Sequence, residues 1–144
     1  MRKPLILAIA CVTLGVLALT VSCGQAASAL CSTQTQNYLD AIEPLIDEFL
    51  DTAELADSTP RIALSPVIGD MQRIAREIED HSAPDCAADA RTRLIQGMDL
   101  VIDGYIGFMS QEDDERVTQE VRNGFYHINK ATEEVIDLAF GKTP

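Results

Sequence analysis

Residues 32–56 read STQTQNYLDAIEPLIDEFLDTAELA, and the spacing inside this stretch sets the fold class. Tyr38, Leu39, Ile42, Leu45, Ile46, Phe49, Leu50 and Ala53 recur at intervals of three and four, which gathers them into one broad stripe of a helix. Asp40, Glu43, Asp47, Glu48, Asp51 and Glu54 fill much of the remaining circumference. Such a helix buries one face against neighbours and hydrates the other. Pro44 falls inside the pattern. Proline removes a backbone donor and crowds the preceding turn, so the reading is a kink near Asp40 or Ala41, or else two shorter helices.

The same period continues downstream. Ser58, Thr59 and Pro60 mark a turn, and Ser65-Pro66 has the form of a helix start with proline in the first turn. Val67, Ile68, Met71, Ile74, Ala75 and Ile78 make a second stripe that ends near His81. Ser82-Ala83-Pro84 breaks it. Pro84 to Ser110 carries Cys86, Ala87, Ala90, Leu94, Met98, Val101, Tyr105 and Phe108 at near-heptad spacing, with Asp85 and Asp89 suited to the positive helix start. A polar corner, Gln111 to Glu115, leads to a fourth helix from about Asp113 to Phe140. Its seam is Val117, Val121, Phe125, Ile128, Thr132, Val135 and Ala139, and Gly141 is placed to end it. No strand pattern or internal repeat emerges. Four amphipathic helices with short connections predict an all-α, up-down-up-down four-helix bundle over residues 32–141.

Upstream of the bundle the chain changes character. Arg2 and Lys3 precede a run without charge from Pro4 to Val21, followed by Ser22-Cys23-Gly24. A positive start, an apolar run and small residues after it describe a signal peptide over residues 1–22. Leu19-Thr20-Val21-Ser22-Cys23 resembles the lipobox of bacterial lipoproteins, with Thr20 standing where leucine is usual. The resemblance implies lipidation at Cys23, a membrane partner through that lipid, and a place in the cell envelope outside the cytoplasm. It covers only this leader. Ala27-Ser28-Ala29 also suits ordinary signal peptidase, which would give a secreted protein, and an uncleaved anchor is the third alternative. Residues 23–31 are small and polar and read as a tether.

Export bears on the cysteines. Of four, Cys11 lies in the leader and Cys23 is the lipidation residue, which leaves Cys31 and Cys86 as a pair. In an oxidising compartment that pair reads as a disulfide. In the up-down-up-down order Cys31 precedes helix one and Cys86 opens helix three, at a shared end of the bundle.

Composition excludes some functions. Without Arg2 and Lys3 the formal charge goes from −12 to −14, which argues against nucleic acid and anionic lipid surfaces as partners. Trp is absent, so an aromatic sugar-binding platform is not expected. No nucleophile elbow, zincin motif, phosphate loop, dinucleotide fingerprint or haem-attachment motif occurs, and no enzyme, cofactor or metal centre is expected. Glu77 and His81 share a helix face, but the Glu-x-x-His pairs of metal-holding bundles are missing. The acidic corner lacks the pattern of a calcium loop. Gly97, Gly104 and Gly107 on helix three, with Gly124 on helix four, are the remaining candidates. Each costs up to about 1 kcal/mol against alanine inside a helix. They either open a groove for an apolar ligand or let two helices approach closely, the commoner use of small residues. The expected activity is that of a non-catalytic binding or interaction module at the cell envelope, for a protein or small-ligand partner, with a carrier of a small apolar ligand or metal ion as the alternative and an enzyme of unfamiliar type as the third.

Overall fold

The computed structural model describes the backbone of residues 3–141 and the side chains from residue 29 onward. Within these residues the fold is all-helical, a helical bundle without strands. Its helices are α1 (Lys3–Ser58), α2 (Ser65–Asp80), α3 (Ala88–Met109) and α4 (Asp114–Ala139). Short 3₁₀ turns, Arg61–Ala63 and Asp85–Ala87, lead into α2 and α3. The side chains of residues 1–28, and with them that of Cys23, where lipidation is expected, lie outside the described residues. Among the described residues no helix is long and apolar enough to cross a membrane.

Helix α1 has no break at Ser32; residues 29–31, assigned above to the tether, are helical. Nor does it split at Pro44, which removes the two-helix alternative. Pro44 lies on the exposed side, where solvent can hydrate the carbonyl that its ring leaves without a donor.

The apolar stripes become the core. Ile42 and Phe49 of α1, Met71, Ile74 and Ile78 of α2, Leu94, Met98 and Val101 of α3, and Ile128 and Val135 of α4 are all but excluded from solvent. Every apolar residue expected from the second stripe is buried. Leu64, at the head of α2, and Thr35, two turns into the described part of α1, are fully buried although the periodicity did not single them out. Fully burying a large aliphatic side chain stabilises by about 1.5–3 kcal/mol, so this column is the main cohesive element. Helix α3 packs most extensively against α4, while α1 contacts both α2 and α4.

The helix ends follow local chemistry. The Asp113 side chain accepts from the Arg116 amide at 3.0 Å and caps α4. Gly141, at φ +67°, terminates it in the left-handed region that glycine enters without steric cost. Arg91 fastens α3 to the end of α2. Its guanidinium donates to the Glu79 carbonyl at 2.6 Å and the His81 carbonyl at 3.2 Å.

Candidate functional site

The four glycines meet between α3 and α4, and the facing helix occupies the space that a groove would need. A Cβ at Gly97 would sit 2.8 Å from the Gly124 carbonyl oxygen and 2.8 Å from the Ile128 amide nitrogen. One at Gly124 would sit 2.6 Å from the Gly97 carbonyl oxygen. At Gly104 it would meet the Val121 side chain at 2.5 Å. At Gly107 the neighbours are Glu112 and Val117, at 3.2 and 3.3 Å. Of the two readings of Gly97, Gly104, Gly107 and Gly124, a ligand groove or close helix packing, these distances fit close packing, because the absent side chains admit the opposing helix itself.

Cys31 and Cys86 are joined by a disulfide with an S–S distance of 2.08 Å. Thr35, fully buried, places its hydroxyl 3.8 Å from the Cys31 sulfur and 3.7 Å from that of Cys86. Beside this cystine the Ser32 hydroxyl donates to the Ala139 carbonyl at 2.5 Å, tying α1 to the end of α4. A recess of about 260 Å³ next to it is lined by Asp89, Arg93, Glu134, Asp137 and Leu138. Within it Arg93 pairs with Glu134.

Glu77 is held by Arg73 at 2.9 Å, and His81 closes α2. Among the described residues no three His, Cys, Asp or Glu side chains gather as metal ligands. Between α2 and α3, Glu79, Asp99 and Asp103 line a second recess with Arg76. Desolvation, then the Glu79 and Asp103 carboxylates, raises the Asp99 carboxyl above its ordinary range.

A third recess, of about 300 Å³, combines apolar walls with a polar anchor. The last turns of α1 supply Ala56 and Asp57, α3 supplies Tyr105 and Phe108, and the first turns of α4 supply Val117, Thr118 and Val121. The Tyr105 hydroxyl donates to Asp57 Oδ1 at 2.6 Å and lies 3.1 Å from the Ala53 carbonyl oxygen. Burial first, and the Asp57 carboxylate second, push the phenol well above its usual range, so it stays a donor. The Arg61 guanidinium lies over the Phe108 ring, 4.3 Å from its centroid, a cation–π contact that fixes the turn before α2. Leu55 and Ile62 stand at the same end with 55% and 97% of their surface exposed. From Cys31 to Asp57 α1 rises about 39 Å, so this site and the cystine are at opposite ends of the bundle.

Of the residues around this recess, the sequence reading had Tyr105, Phe108, Val117 and Val121 as seam positions only. The signal it missed is Ile62, an apolar residue in a turn that no helical stripe claims.

No protein-family model matches this chain, and neither does any curated protein or solved structure.

Proposed function

We propose that this chain is an exported lipoprotein, anchored to a membrane of the cell envelope through Cys23, whose up-down-up-down helical bundle serves as a non-catalytic binding module. The observation that carries the reading is the Cys31–Cys86 disulfide. Stable protein disulfides belong to oxidising compartments, which is where a leader of this composition sends a chain. The bundle order is supported by its ties. The disulfide links α1 to the turn before α3, Ser32 reaches the end of α4, and Tyr105 near the end of α3 reaches Asp57 near the end of α1. A binding role is further supported by a closed core with the fully exposed Ile62 outside it, which leaves recognition to the surface.

The decisive experiment is the intact mass of the protein from its native envelope, before and after reduction with thiol alkylation. A mass beginning at Cys23 with a lipid increment, and two thiols that appear only on reduction, is the expected result. A lipid-free mass beginning near Leu30 would show release and overturn the anchoring. Correspondingly, Cys23→Ala moves the protein out of the membrane fraction.

One observation favours a second reading, a carrier of a small apolar ligand. The Ala56–Val121 recess is apolar, with a buried phenol on its wall. Its volume is at the low end for ligand pockets. A thermal shift with lipid extract that Val121→Phe abolishes would establish that reading.

A further inference from the structure

We infer that the end of the bundle built from the α1–α2 turn and the α3–α4 corner docks a basic amphipathic segment of a partner protein. The inference rests on the binding-module reading and gives that module its face.

Apolar surface comes first. The recess between Ala56, Phe108, Val117 and Val121 lies beside the turn that carries the exposed Ile62, whose neighbour Arg61 stacks on Phe108. Ile62 is held outward by its neighbours on both sides. Arg61 is stacked on Phe108, and Leu64 is fully buried. With both pinned inward, the short turn cannot fold the Ile62 side chain into the core. The fold thus presents a fixed apolar knob next to an apolar hollow, both at the end of the bundle remote from the cystine.

Charge selects the occupant. Glu54, Asp57 and the corner residues Glu112, Asp113, Asp114 and Glu115 surround this surface, and all are solvent-exposed. Three cations stand near this end, against six carboxylates; Arg122 shares a recess with Asp114 and Glu115, and the other two are engaged within the fold. Arg61 covers Phe108, and Arg116 pairs with Glu112 and, at 2.9 Å, with Glu120. The rim is therefore negative. A second copy of this chain would bring the same carboxylates against it, and an anionic lipid surface would be repelled likewise. A helix with apolar side chains on one face and Lys or Arg beside them satisfies the hollow, the knob and the rim together.

The test uses the full chain, cystine closed and isotopically labelled. The probe is a synthetic peptide of about five helical turns, with leucine at i, i+3, i+4, i+7 spacing and lysine elsewhere, beside a scrambled peptide of the same composition. The amphipathic peptide is expected to shift the resonances of Ile62, Val117 and Val121 and to bind about tenfold tighter than its scrambled form. Ile62→Glu should weaken it by about tenfold, and the solvent exposure of Ile62 leaves folding intact. Equal affinity for the two peptides, or shifts spread along the acidic outer face of α1, would reduce the effect to unspecific charge attraction and overturn the site. A photoreactive group at position 62, in the native membrane, that reaches only lipid or a second copy of the chain would overturn it as well. Peptide-induced shifts confined to another face would remove this site and leave the binding-module reading standing, because mass and fractionation judge the anchored module independently.

Discussion

Two tyrosines separate what a seam position implies from what its hydroxyl does. Tyr38 and Tyr105 are both about 5% exposed. The Tyr105 hydroxyl reaches Asp57 and Ala53, whereas among the described residues no group accepts from the Tyr38 hydroxyl. Removing a satisfied buried hydrogen bond costs about 0.5–1.5 kcal/mol, while removing a buried hydroxyl without a partner costs nothing or stabilises. Tyr105→Phe is therefore expected to lower the unfolding free energy by about 1 kcal/mol and Tyr38→Phe to leave it level or raise it, as read from urea midpoints at constant slope. The pH dependence follows. Burial raises both phenols, which Arg91 partly offsets at Tyr38 and Asp57 reinforces at Tyr105. A raised folded pKa means that the native state holds its proton longer than the unfolded chain. The stabilisation is complete below the ordinary phenol pKa of about 10 and is lost as pH climbs beyond it toward the folded value. Urea unfolding at rising alkaline pH should give a steeper loss for the wild type than for Tyr105→Phe; equal slopes would detach the effect from this phenol. Sequence spacing located both rings. It could not locate Asp57, 48 residues from Tyr105, because that contact depends on how two helices meet.

The glycines show the same limit among elements. Periodicity recovered the buried stripe of α2 residue for residue, because amphipathic spacing is a property of one helix. What a glycine is for depends on the helix opposite. Three glycines on α3 raised the question without answering it, and the structure answers with backbone against backbone. Gly69, on the exposed face of α2, is the natural contrast: a Cβ there meets nothing within 4 Å. Gly69→Ala should stabilise by about 0.5–1 kcal/mol through helix propensity and reduced freedom of the unfolded chain. Gly97→Ala faces backbone atoms at 2.8 Å that cannot rotate away, so α3 and α4 must separate. The expected loss is about 1–3 kcal/mol, the usual cost of overfilling a packed interface. Thermal unfolding of the two alanine variants checks the pair, and a neutral Gly97→Ala would mean that the two helices are looser than drawn.

Among the described residues one covalent bond closes the bundle, and its position was the part of the topology most legible in the sequence. Reading the leader as an export signal left Cys31 and Cys86 as the pair, and the expected helix order put them at one end. What could not be read is the surroundings: Thr35 buried beside both sulfurs, with Cys86 itself exposed. The bond spans a sequence separation of 55. In the chain-entropy account, closing such a loop restricts the unfolded chain by about 4 kcal/mol, a large share of the 5–15 kcal/mol that holds most domains folded. Because the contribution belongs to the bond and not to either sulfur, Cys31→Ser and Cys86→Ser should destabilise equally. The double variant should lose no more than either single one. The exposure of Cys86 gives an independent route to the same state, since a soluble thiol can attack there. Reduced wild type should then unfold at the denaturant midpoint of the serine variants. Additive losses in the double variant would mean that the two cysteines act separately. A reduced protein as stable as the oxidised one would mean that the core, with Ser32 fastened to Ala139, already holds α1 in place without the cystine.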